Sequence, residues 1–155
     1  MEQKRLYKTI DALASKHFES ESELLFEVLK QLIDNSDINI SGGRIWKLDV
    51  RKKVYRLIHQ MGKLQKIKKD FELQIDEYPV LALVSKFRTI LANETNEVLI
   101  KKGIFKYSAS GIGFKKKLGK EFYYEYLLAV NSDELNLELK YILNIVSTVL
   151  TSKIR

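Results

Sequence analysis

The sequence predicts an α+β fold built on a mostly antiparallel sheet, and three observations lead there. Apolar residues recur at helical spacing near both ends of the chain, the middle switches to a period of two, and a single proline-led helical stripe interrupts the strands. The resulting order is α-α-β-β-β-α-β-β-α. A doubly wound parallel sheet would instead alternate strand and helix throughout. The length of 155 residues is that of one domain spanning 1–155, with room for a buried core.

The elements follow in order. Leu6, Ile10 and Leu13, with Tyr7 beside them, mark a first helix, and Leu24, Leu25, Val28, Leu29, Leu32 and Ile33 mark a second. Ser20 or Ser22 is its expected N-cap, with acids in the first turn where the helix dipole favours them. From Ile38 the period is two: Ile38, Ile40, Trp46 and Leu48 share a parity, with a bulge or bend expected at Gly42-Gly43. Val54 to Gln60 forms the next strand across a short hairpin loop. Phe71, Leu73 and Ile75 then alternate with Glu72, Gln74 and Asp76. Pro79, the only proline, opens a helix whose stripe runs Val80, Leu83, Val84, Phe87, Ile90 and Leu91. Strand character resumes from Glu97 to Ala109, broken at Gly103, and from Phe122 to Asn131. In that last strand Phe122, Tyr124 and Tyr126 are expected on one face and Tyr123 and Leu127 on the other. Asn131 or Ser132 is expected to cap a final helix in which Leu135, Leu139, Ile142, Val146 and Val149 form a heptad stripe. With no glycine or proline stop after it, a longer parent protein is expected.

Composition excludes several function classes. The chain has no cysteine, which removes a disulfide framework, a thiolate metal site, a cysteine nucleophile and thioether attachment of a chromophore. Only His17 and His59 supply imidazole, too few for a histidine-built zinc site, so no metal is expected. No apolar run approaches the ~18 residues that span a bilayer, and the N-terminus lacks a signal peptide's apolar segment. A cytoplasmic protein without a membrane partner is expected.

Net charge is +7, yet it is concentrated. Between Arg44 and Lys69 lie ten basic residues against Asp49 alone, and between Lys101 and Lys120 seven lysines and no acid. The rest of the chain is therefore acidic. The plainer reading of Arg51-Lys52-Lys53 and Lys115-Lys116-Lys117 is solvated hairpin tips. A basic sheet face carrying Trp46, Tyr55, Phe105 and Tyr107, stacking single-stranded nucleic acid, is the alternative.

Catalytic patterns fail on inspection. Gly113 to Gly119 has five residues between its glycines where a phosphate-cradling loop has four, and Glu121 stands where Ser or Thr would hold magnesium. Asp76 and Glu77 are strand neighbours that point to opposite faces. No enzyme is expected in this segment. A small-molecule cleft between the inserted helix and the sheet is the stronger reading. Arg44, Trp46, Gln74, Asp76, Tyr78, Thr95, Tyr107, Ser108 and Ser110 are placed around it, a cation and helix N–H groups to hold an anion and rings to sandwich a base.

The segments Ile40–Asp49, Tyr55–Lys63, Phe71–Val80, Gly103–Gly113 and Leu127–Asn131, with the closing heptad helix, resemble bacterial GAF domains in element order over nearly the whole chain. That resemblance implies long terminal helices on one sheet face and the inserted helix on the other. It implies a non-catalytic sensor that binds a cyclic nucleotide, cAMP ahead of cGMP, and controls a covalently linked output domain such as a diguanylate cyclase. The phosphate would meet Arg44 or the amides of residues 78–80. The base would lie against Trp46, Tyr107 or Tyr126, with Asp76, Thr95 and Ser108 reading its edges. A homodimer would form through Leu139, Ile142, Val146 and Val149; a structural dimerisation module without ligand is a further alternative. Phe71 and Asp76-Glu77 are similar to part of the family's nucleotide signature, with one residue too many between them and no Asn-Lys partner. Bilin-binding relatives usually need the cysteine this chain lacks.

Overall fold

The computed structural model describes residues 4–16, 18–35, 38–92 and 108–154. Helices α1 (Lys4–Ser15) and α2 (Glu21–Asn35) lead into strands β1 (Ile40–Asp49), β2 (Val54–Gly62) and β3 (Glu72–Gln74). Helix α3 (Val80–Phe87) and the short β4 (Thr89–Ile90) follow, then β5 (Ser108–Leu118), β6 (Glu121–Ser132) and α4 (Leu137–Lys153). The six strands form one sheet in the order β3-β2-β1-β6-β5-β4, every adjacent pair antiparallel. The fold class is therefore the expected one.

The sheet is covered on both faces, which divides the core in two. On one side Leu6, Ile10, Leu25, Leu29, Leu32, Leu139, Ile142 and Val146 of the terminal helices meet Ile40, Ile45, Tyr126, Leu128 and Val130. On the other, Val80, Leu81 and Val84 of α3 meet Trp46, Leu48, Tyr55, Leu57, Leu127 and Ala129. Helix periodicity and strand alternation together place these residues.

The expected irregularity in β1 is present and its consequence is large. Pairing with β6 shifts register between Ile40 and Gly42, so one extra residue is accommodated there. Ile38 and Ile40 consequently face the terminal helices, while Trp46 and Leu48, of the same parity, face α3. At Gly42 a Cβ would stand 2.9 Å from the carbonyl oxygens of Met61 and Lys63, so only glycine lets the strands close here.

Several boundaries differ from expectation, each for a local reason. Helix α3 stops at Phe87 because Arg88 takes a left-handed φ of 63°, unfavourable in a right-handed helix. Ile90 accordingly sits in β4, beside β5. Strand character around Phe71 ends at Gln74, and residues 75–77 form one 3-10 turn. Lys115, Lys116 and Lys117 lie within β5, with the turn at Gly119 and Lys120. Tyr124 joins Tyr123 in the α3-side core whereas Tyr126 faces the helices; the register shift between Ile112 and Lys115 accompanies that change of side. The last helix is capped by Asn136, whose side chain accepts from Leu139 N–H at 3.1 Å, since β6 runs on to Ser132. Ser20 caps α2, accepting from Glu23 N–H at 3.2 Å. The strand expected over 97–109 lies outside the described residues except for its end, which begins β5.

Gly111 supports Tyr124 directly: a Cβ there would lie 2.0 Å from the ring carbon Cδ2. Arg88 Nε donates to that ring's hydroxyl at 3.2 Å, so the ring is held. Gly111→Ala is expected to destabilise the fold by about 1–3 kcal/mol through overpacking, read as a lower urea midpoint with unchanged slope.

Candidate functional site

Strand alternation in β1 puts Arg44 on the same side as Trp46, toward α3. Both are completely buried. The Arg44 Nη2 donates to the Gln65 carbonyl, tying β1 to the chain segment after β2. A buried guanidinium is tolerated only when its hydrogens find acceptors. Trp46 meets Phe71 edge to face, with centroids 6.5 Å apart. Its indole Nε1–H is buried and has no hydrogen-bond partner among the described residues, a costly condition for a good donor. Tyr78, directly before α3, is also buried in this core. Tyr55 donates to the Tyr124 carbonyl at 2.6 Å, and burial pushes its phenol far up, so it stays protonated.

The remaining expected site residues lie elsewhere. Gln74 and Asp76 are exposed, at the end of β3 and in the turn after it. Ser110 faces the terminal helices: its hydroxyl lies 2.8 Å from Thr89 Oγ1 and accepts from Ser147 Oγ of α4 at 2.7 Å. Ser108, two residues before it, has the same side; its Oγ accepts from Ala92 N–H at 3.2 Å. Tyr126 also points to the helices, where its hydroxyl donates to Glu21 at 3.0 Å; burial, reinforced by that carboxylate, raises its pKa. Arg44, Trp46 and Tyr78 thus share one core, while Ser108, Ser110 and Tyr126 stand across the sheet. Identity alone does not reveal the side; the β1 bulge and the β5 register decide it. Thr95 and Tyr107 lie outside the described residues.

The stripe expected to pair two copies also turns inward. Leu139, Ile142 and Val146 are wholly buried in the chain's own core and Val149 is half-buried. The outer side of α4 carries Leu137, Tyr141 and Ile145 instead, with the two former 70% and 65% exposed. A stripe spaced by alternating steps of four and three serves a sheet as well as a partner helix, so spacing does not separate the two. Likewise Trp46 and Tyr55 are too buried to stack on a nucleic-acid base.

The link between the two cores runs through the residues after α3, which sequence reasoning missed. Arg88 reaches Tyr124 and also donates to Thr148 of α4 at 2.9 Å. Thr89 donates to Asn144 of α4 as well as meeting Ser110. Gly113 N–H donates to Thr151 at 3.0 Å. The last helix is therefore pinned to the β4–β5 edge by polar contacts from Asn144, Ser147, Thr148 and Thr151, over about two turns.

His59 is not a base for Ser22. Its Nε2 lies 2.9 Å from the Ser22 carbonyl oxygen and 2.7 Å from Ser22 Oγ. A carbonyl only accepts, so Nε2 carries the proton and has no lone pair for the serine hydroxyl. Among the described residues no group of three His, Asp or Glu side chains is arranged to hold a metal ion. No described helix is long and apolar enough to cross a membrane.

No known sequence family matches the chain, and no curated relative does. Solved structures do. The GAF domain of an Acinetobacter phosphoenolpyruvate-protein phosphotransferase superposes with TM-score 0.68 at 15% identity, covering 98% of this chain and 92% of that one. A methyl-accepting chemotaxis protein segment gives 0.66 at 13%, over 97% and 96%. The free methionine-R-sulfoxide reductase of Neisseria meningitidis, solved with its substrate, gives 0.70 at 10%, over 97% and 87%. This chain therefore has the GAF fold, one that its structural neighbours use both in signalling proteins and in an enzyme. A thiol-dependent reduction is closed to a chain without cysteine.

Burial holds the His59 pKa below its ordinary 6.5, against the opposing pull of the Ser22 carbonyl. The unfolded chain therefore binds the proton more readily. The contribution of neutral His59 is complete above pH 6.5 and is lost as pH falls through the folded value. Denaturation midpoints are expected to drop below pH 6.5, and His59→Phe to flatten that part of the profile relative to the parent.

Proposed function

We propose that this chain is a regulatory ligand-binding GAF module whose guest lies on the α3 side of the sheet, beside Arg44 and Trp46. The observation that carries the reading is the unpartnered Trp46 indole N–H, buried on the same side as a fully buried guanidinium. A donor and a cation held away from water suit an anionic, flat guest. A cyclic nucleotide has both properties, a phosphodiester for Arg44 and a base for the indole and Tyr78, and cAMP is ahead of cGMP.

Transmission would use the contacts after α3. A guest that moves α3 shifts Arg88 and Thr89, and these grip Thr148 and Asn144 of α4. Such a shift matters only when the guest binds the two helix arrangements with different affinity. A linked output domain, a diguanylate cyclase for instance, would read the position of α4. Pairing of two copies would use the outward Leu137, Tyr141 and Ile145, the face the chain itself leaves uncovered.

Trp46 is the only tryptophan, so its fluorescence reads the site directly. Titration with cAMP or cGMP is expected to shift its emission, and Arg44→Gln to weaken binding by about tenfold or more. Unchanged emission together with no calorimetric heat for either nucleotide rejects the cyclic-nucleotide reading. For the pairing face, Tyr141→Glu with Ile145→Glu is expected to convert a dimer to a monomer in light scattering. A parent already monomeric, or a double variant still dimeric, rejects that face.

A further inference from the structure

The two basic stretches meet at one end of the molecule. Strand β1 runs antiparallel to β6 with Lys47 opposite Tyr126, so the β1–β2 turn and the β5–β6 turn project from the same end of the sheet. The first turn presents Val50, Arg51, Lys52 and Lys53, all exposed, Val50 at 41%. The second presents Lys120, and the end of β5 leading into it presents Lys115, Lys116 and Lys117, again all exposed. Between these cations stand two rings: Phe114, 53% exposed in the bulged part of β5, and Phe122, 48% exposed opposite Lys117.

The acids nearby are partly committed. Asp49 and Glu72 both accept from Arg56, at 3.1 and 2.9 Å, and Glu72 also lies 3.6 Å from Lys52. Glu121, Asp76 and Glu77 remain at this end, Glu121 and Asp76 near enough to raise the Tyr123 pKa together with its burial. Among the described residues no acid pairs with Arg51, Lys53, Lys115, Lys116, Lys117 or Lys120. Lys115 lies over the Tyr124 ring at 5.3 Å, which leaves its charge unneutralised. The tip therefore has a cationic excess and three exposed apolar side chains, none of them needed by either core.

We propose that this end of the sheet is a docking surface for an anionic lipid bilayer. Lysines and arginine would meet the headgroups while Phe114, Phe122 and Val50 enter the boundary between headgroup and acyl chain. The two hairpins are neighbours in the sheet, so their ends can meet a flat surface together. A nucleic-acid strand is held in a groove with rings set as a stacking platform, and an aliphatic Val50 adds nothing to stacking. The absence of a spanning helix among the described residues concerns crossing a bilayer, not resting on one. The surface adjoins Arg88 through the Tyr124 ring, over which Lys115 and Arg88 both lie, but the inference does not depend on any ligand at Trp46.

The test is cosedimentation of the full chain with vesicles of phosphatidylcholine containing about 30% phosphatidylserine, against phosphatidylcholine alone. Binding is expected only to the anionic vesicles, with release at about 0.5 M salt. Lys116→Gln with Lys117→Gln, and separately Arg51→Gln with Lys53→Gln, should each weaken binding by about fivefold per charge removed. Phe114→Ser with Phe122→Ser should weaken it several-fold, with an unchanged circular dichroism spectrum showing that exposed positions were altered. The proposal is overturned by no binding to anionic vesicles, by equal binding to neutral ones, or by indifference to the Arg51 and Lys53 changes. It is equally overturned when a single-stranded oligonucleotide strips the chain from vesicles and itself requires Phe114 and Phe122.

Discussion

Everything in this molecule depends on the central strands β1 and β6 being buried on both faces. A strand covered on one side only needs to alternate apolar with polar; one covered twice must place a suitable residue at every position. In β6 the run from Tyr126 to Val130 meets that demand, with Leu127 and Ala129 toward α3 and Tyr126, Leu128 and Val130 toward the helices. In β1 the bulge beside Gly42 resets the alternation, so that the isoleucines and the tryptophan of one parity serve opposite cores. Without glycine at 42 the strand would not approach the backbone of residues 61 and 63, and the reset would be lost.

The two cores differ in chemistry. The helix-side core is aliphatic and is bordered by a hydroxyl network of Thr89, Ser110 and Ser147 that fixes where α4 sits along the sheet. Buried hydroxyls that satisfy one another favour one register, because any slip leaves donors without acceptors. The α3-side core is aromatic and contains a guanidinium and an unpartnered indole N–H. A stability-driven interior avoids such groups, so their presence makes this side the better place to look for a guest. Arg88 and Thr89 are the mechanical joint between the two, since they directly follow α3 and hold α4.

The charge distribution has a separate logic. Neither basic turn contributes to a core, and the acids at this end, Asp49 and Glu72 among them, pair with Arg56 and Lys52 and leave the other cations there without an ion-pair partner among the described residues. Exposed rings and cations at the strand ends and turns cost folding little but shape what the surface attracts. The proposed functions thus fall on three places: a dry polar core side, a pinned helix and a projecting sheet end.

Read alone, the amino-acid order determined the fold class, the helix faces Leu6–Leu13 and Leu24–Leu32, the bulge near Gly42 and the exclusion of cysteine chemistry, because periodicity, turn chemistry and composition are local properties. It did not determine which side of the sheet a residue meets. A one-residue shift at Gly42 or near Gly113 exchanges faces for everything after it, and only the paired strands show where that shift falls. For the same reason Ser110 and Tyr126 stand apart from Arg44 and Trp46, and the α4 heptad meets the sheet rather than a second copy. Those placements are set by contacts between residues far apart in the chain, which only the tertiary structure decided.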